Sequence, residues 1–378
     1  MDADERDKRG RLLTRWWDVG DMLTGALEAG DFYERVAHEA QVAADIAREA
    51  KGERGGAKEP LDLRPVGEVY EPDYLTHPLP PRAALLRHGG KPFIVQGKVG
   101  LLLAPGGSGK TWAFTQLAVA VATGGKWFGT YEATKGRVLL ALGEEDAEEV
   151  QRRLYDVATG LGLSEYERAE VGRNVTALGL SGKSVAFIEK SAVGALKPSP
   201  WFAELRTALE AGGPWRCILL DPWSRWGGPD VEKDNHAATR GVELLEELSK
   251  LPGSPTVLVA HHTRKSAKED ATSGADADAS RGASALVDGA RWVVNLVRTK
   301  SQTGDKRVLR FDVTKRNHTA ASEPLELVHG EGGALRPLTP TEKATKSETP
   351  IASETKAAEK TQAKGSNGAT PSKERVRT

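Results

Sequence analysis

One cysteine in 378 residues leaves no internal disulfide framework and no cysteine-rich zinc site. That residue, Cys217, sits in an apolar strand, where it reads as a small buried hydrophobe. Neither charge is in excess, because 53 basic residues face 53 acidic ones. Bulk electrostatics therefore announces no nucleic-acid partner, and any such surface must be local. No apolar run approaches the length of a membrane-spanning helix. The N-terminal MDADERDKRGR is charged and has no signal-peptide core. A cytoplasmic protein with no membrane partner is the expectation. No repeat of solenoid period recurs. What is present is a 39% hydrophobic chain, enough for a sizeable core and too long for one minimal domain.

The chain divides by composition. Residues 1–52 read as a helical N-terminal extension, with Leu12, Trp16, Val19, Leu23 and Leu27 at helical spacing, then Phe32, Val36, Ala40, Ala43 and Ala47. Gly30 and Asp31 supply a stop and a cap between them. Residues 53–84 read as a linker and extended arm, rich in glycine and then proline. Residues 85–338 alternate short apolar strands (99–104, 137–142, 174–180, 216–221, 256–260) with helical patterns (112–122, 147–161, 202–209, 242–251). Such alternation predicts an α/β fold with a mostly parallel sheet covered on both faces. Strands at 292–297 and 307–314 flank a turn at Thr303, Gly304 and Asp305 and read as a hairpin. Residues 339–378 carry no aromatic residue and predict a disordered tail.

Ala104, Pro105, Gly106, Gly107, Ser108, Gly109, Lys110 and Thr111 form a Walker A loop in its strand–loop–helix context, with Trp112 following. The glycines let successive backbone N–H groups face a phosphate, and the helix N-terminus behind adds its dipole. Lys110 reaches the β- and γ-phosphates of ATP, and the Thr111 hydroxyl ligates Mg²⁺. Ile218, Leu219, Leu220 and Asp221 form an apolar strand ending in a second Mg²⁺ ligand. Pro222 follows where many ATPases carry a glutamate, so the base for water must come from elsewhere. Glu144 and Glu145 supply it at the tip of the strand after the Walker A helix, expected beside the P-loop strand. Glu144 is preferred, and Asp146 reads as the cap of the next helix.

His261 and His262 end another buried strand, where a polar residue can sense the γ-phosphate. A zinc role is disfavoured, since no cysteine or third histidine is near in sequence. The polar loop from Thr263 to Ser280 is either a DNA contact through Arg264, Lys265 and Lys268 or a solvated loop diluted by acids. Arg281 and Arg291 flank a helix-like turn before the hairpin. Arg291 is open to two readings, an arginine finger across a subunit boundary or an ordinary ion pair with Asp288 or a neighbour.

Together, APGGSGKT, the GEED strand tip, LLDPWSRW with the following PDVEKDN, HHTRK, SRGASALVDGARW and VTKRN resemble the plasmid RepA-type hexameric replicative helicases, within the RecA-like and DnaB-like ATPases. The resemblance spans about residues 85–320. It implies a RecA-like P-loop core, a hexameric ring with ATP and Mg²⁺ at subunit interfaces, single-stranded DNA in the channel and replication-protein partners. It further implies Glu144 as catalytic glutamate, His261 and His262 as the histidine pair, Arg291 as arginine finger and Lys315, with Asn317, as the late lysine motif at the nucleotide. His318 stands where the family usually has an aromatic residue. The expected function is an ATP-dependent DNA helicase of plasmid, phage or mobile-element replication. A recombination or DNA-organising ATPase, or a P-loop switch acting on protein partners, is the alternative.

Overall fold

The computed structural model describes residues 79–263 and 284–348, apart from 193 and 232, together with a few residues between 63 and 77. The expected helical extension, most of the linker, Arg264, Lys265, Lys268, Arg281 and residues 349–378 lie outside the described residues. In chain order the elements are β1 (Ala84–His88), β2 (Lys91–Val95), β3 (Val99–Ala104), α1 (Lys110–Thr123), β4 (Lys126–Trp127), β5 (Tyr131–Ala133), β6 (Val138–Leu142), α2 (Ala147–Gly160), α3 (Glu165–Asn174), β7 (Val175–Gly179), β8 (Ile188–Lys190), β9 (Leu196–Pro198), α4 (Pro200–Gly212), β10 (Cys217–Asp221) and the single turn α5 (Trp223–Trp226). They continue with α6 (Asn235–Ser249), β11 (Thr256–His262), α7 (Ser284–Gly289), β12 (Trp292–Thr303), β13 (Lys306–Arg316), β14 (Leu325–His329), β15 (Leu335–Pro337), α8 (Pro340–Ala344) and β16 (Ser347–Glu348).

Two compact units divide the chain. In the smaller, which takes in residues 1–77 and 190–197, a tight turn is closed by the Ser191 N–H to the Ala195 carbonyl. The larger holds the main sheet, ordered β15-β14-β13-β12-β3-β11-β10-β6-β7. Strands β12, β3, β11, β10, β6 and β7 run parallel to their neighbours in that stretch, and the pairs from β12 to β15 are antiparallel. Every residue of β3, β6 and β10 is buried, as the unbroken Val, Ile and Leu runs require of strands covered on both faces. Helix α1 packs on β6 and β10, while α6 packs on β3 and β11. Each fully buried Leu or Val of these strands contributes about 1.5–3 kcal/mol relative to exposure.

The expected mostly parallel α/β core is therefore present, with one correction to its order. β6 does not lie beside the P-loop strand, since β11 and β10 stand between them. A second, antiparallel sheet, β2-β1-β5-β4, takes β1 and β2 from before the P-loop strand and β4 and β5 from after α1. It brings Phe93, Tyr131, Trp127 and Phe128 against Phe311 of the hairpin, with Phe93 stacked on Tyr131 at 3.9 Å. No periodicity marks these strands, because each is five residues or fewer. The stretch expected to be disordered opens with structure. Thr339 and Glu342 form a reciprocal capping box on α8, and β16 pairs with β12.

Candidate nucleotide site

The P-loop leaves the C-terminal end of β3, a strand buried throughout, and enters α1. Gly107 and Gly109 hold φ of 71° and 88°, the left-handed region that lets the backbone curl around a guest. Lys110, 5% exposed, donates to the carbonyls of Ala104 and Pro105, each at 3.2 Å, and lies 3.0 Å from Nδ1 of His262. An ammonium has no acceptor, so the histidine nitrogen accepts, and a neutral His262 carries its hydrogen on Nε2. Burial lowers the Lys110 pKa, while the Asp221 and Glu144 charges oppose that shift. The Thr111 hydroxyl donates to Oδ2 of Asp221 at 2.6 Å. Burial raises the Asp221 pKa, with the Thr111 bond and the Lys110 charge pulling it back.

A cavity of about 390 Å³ opens here. Lys110, Thr111, Glu144, Asp221 and His262 all line it. Four strand tips thus converge: β3 through the loop, β6 through Glu144, β10 through Asp221 and β11 through His262. The oxygens of Thr111 and Asp221, in mutual contact at the helix start, match the hard oxygen donors that Mg²⁺ selects. Glu144 reaches the cavity although β6 is three strands from β3, because the Gly143 N–H donates to the Asp221 carbonyl at 2.8 Å and folds that turn onto β10. Glu145 instead pairs with Arg153 at 2.6 Å. Asp146 accepts from the Glu149 N–H as helix cap, as expected.

The histidine pair divides. β11 continues through both residues, so they point to opposite faces of the strand. His262 meets Lys110. His261 is buried, and burial, followed by the His262 and Lys110 charges, drops its pKa to about 4.

Arg291 and Lys315 do not join the cavity. The Arg291 N–H donates to the Val99 carbonyl, and Trp292 pairs with Gly100, at the start of β3. At about 3.3 Å per strand residue this is roughly 15 Å or more from the chain's own P-loop. The Arg291 side chain approaches Glu246 at 3.9 Å rather than Asp288. Lys315 donates to the carbonyls of Val287 and Asp288 at the end of α7.

Sequence reasoning passed over Arg153, Arg298 and His329. Arg153 lies over the Trp112 ring at 4.9 Å, and it and His329 line the cavity. Arg298, from β12, donates to the Gly107 carbonyl. Arg298 and His329 arrive from far along the chain, and no local motif marks any of the three.

A family model described as an AAA domain, AAA_25, matches residues 58–268. Among solved structures, the chain is similar to one described as an ATPase domain, with 12% identity and a TM-score of 0.45 over 65% of this chain and 86% of that one. It is also similar to a KaiC-like protein, PH0186, from Pyrococcus horikoshii OT3, with 13% identity and a TM-score of 0.41 over 65% of this chain and 91% of that one.

Proposed function

This chain belongs to the AAA domain family and is a P-loop ATPase, and on that premise we propose that it is an ATP-dependent DNA helicase of mobile-element replication, working as a ring. The observation that carries the ATPase part is the convergence of Lys110, Thr111, Asp221, Glu144 and His262 on one cavity. Mg²⁺, bound with ATP at Thr111 and Asp221, supplies charge neutralisation of the phosphates. Lys110 exchanges its carbonyl partners for phosphate oxygens, which replace the solvation lost on burial. Glu144, with neither a helix-capping role nor the ion pair that holds Glu145, orients the attacking water and takes its proton. His262, with its Nε2–H available, donates to the terminal phosphate and registers its departure to the residues that follow β11 in sequence.

The helicase part is supported by the sequence resemblance and by the basic residues Arg264, Lys265 and Lys268, which follow β11 in sequence. Arg291, beyond reach of its own P-loop, is assigned to the P-loop of a neighbouring subunit, with Lys315 beside it. The test is ATP turnover with and without single-stranded DNA, followed by strand displacement on a forked duplex. Stimulation together with displacement is expected. Stimulation without displacement points to a DNA-organising ATPase, and no stimulation to a switch acting on protein partners.

A further inference from the structure

The family match ends at residue 268, yet the P-loop and its helix are held by residues beyond 290. Gln116 of α1, 1% exposed, donates to the Leu335 carbonyl at 2.9 Å and accepts from the Leu335 N–H at 3.0 Å. Gly333, at φ 72°, brings its backbone so close to the Trp112 ring that a Cβ there would stand 2.7 Å from it. His329 borders Gly109, where a Cβ would lie 3.2 Å from the imidazole. Its Nδ1 stands 3.1 Å from the Gly333 carbonyl. The turn between β14 and β15 is thus a wall built onto the P-loop helix.

Once the phosphate and metal groups are assigned, the remaining side chains lining the cavity are Trp112, Arg153 and His329. Their chemistry differs from that of the phosphate end. Arg153 is already neutralised by Glu145 at 2.6 Å and Glu149 at 3.1 Å. A carbonyl only accepts, so Nδ1 of His329 carries the hydrogen and a neutral ring presents Nε2 as an acceptor. An acceptor gains nothing from phosphate oxygens, which also accept. It suits a hydroxyl or an amino group.

We propose that His329 contacts the nucleoside of the bound nucleotide, its Nε2 accepting from the sugar or the base, with the Arg153–Trp112 pair forming the adjoining wall. The assignment rests on the reading of the cavity as a nucleotide site. It makes the strands after residue 290 part of that site, where they recognise what a triphosphate alone lacks.

The experiment compares equilibrium binding of Mg²⁺-ATP and of Mg²⁺-tripolyphosphate to the full chain, for wild type and His329→Ala, with the melting temperature followed in parallel. Loss of one hydrogen bond should weaken ATP binding by roughly threefold to tenfold and leave tripolyphosphate binding unchanged. Equal weakening of both ligands, or no weakening of ATP, overturns the proposal. So does wild-type protein that binds tripolyphosphate as tightly as ATP. Wild type that binds neither ligand overturns the nucleotide-site reading itself, a separate failure. If alanine unfolds the turn, His329→Asn keeps an amide donor for the Gly333 carbonyl while shortening the reach, and the same ATP-selective loss is expected.

Discussion

At the scale of single residues, two glutamates adjacent in sequence have different surroundings. Glu145 is engaged by Arg153, whereas Glu144 lines the cavity with Lys110 and Asp221. Glu144→Gln preserves size and hydrogen bonding but removes the base, so turnover should fall at least about 100-fold while nucleotide still binds. Steady-state turnover and nucleotide binding measured on the same preparation check this, with Glu145→Gln as the comparison. A dead Glu145→Gln beside an active Glu144→Gln would move the base by one residue. His261 offers a second residue-scale outcome. Its folded pKa, about 4, lies below its ordinary value of 6.5. Between those values the unfolded chain holds a proton that the folded chain lacks. The stability contribution is therefore present above pH 6.5 and lost as pH falls toward 4, to a total of about 3 kcal/mol. Urea unfolding at several pH values should show wild type losing more stability over this window than His261→Asn. Parallel losses would mean that His261 does not titrate in this way.

At the scale of elements, four strand tips of the main sheet bring the proposed nucleotide site onto one cavity. Arg264, Lys265 and Lys268 follow His262 closely in sequence, so on the proposed function replacing all three by alanine should weaken single-stranded DNA binding. It should also flatten the salt dependence, since fewer counterions are released. Binding unchanged across a salt series would remove these three residues from the DNA surface. What the sequence discloses also sorts by element. The glycines, Lys110 and Thr111 announce themselves because the phosphate cradle is a local motif, and Asp221 because an apolar run ends in a carboxylate. β3 reads correctly to the residue for the same reason, six apolar or small residues bounded by glycine-rich turns. The order of strands does not announce itself, and β6 beside β10 rather than β3 is decided by packing of α1 across the sheet. Gln116 lies on the P-loop helix but is held by Leu335, and Arg298 and His329 likewise come from the long hairpin and the strands after it. The pairs Gln116–Leu335, Arg298–Gly107 and His329–Gly109 span about 190 to 220 residues of sequence, where no periodicity can join them.

At the scale of the whole molecule, overall charge neutrality conceals an electropositive corner. The pKa of His318 is lowered by burial and by the charges of Arg82, Lys98 and Arg291. That of Lys315 is lowered by burial and by Arg291, with Asp288 opposing. This corner lies at the start of β3 and β12, at the opposite end of the sheet from the chain's own P-loop. Arg291, though it approaches Glu246, lies in this corner with Lys315, and the proposed function gives it the phosphates of a neighbouring subunit's nucleotide. The central claim is then a catalytic site completed between copies, in which an arginine finger is worth about 10³ or more in rate. The measurement that tests it most directly is ATP turnover by mixtures of Lys110→Ala and Arg291→Ala subunits, with assembly of each confirmed. Each variant alone should be inactive. In mixtures, some interfaces pair an intact P-loop with an intact arginine, and part of the activity should return. Mixtures that stay inactive while both variants assemble, or a Lys110→Ala protein that turns over ATP at the wild-type rate, would contradict it.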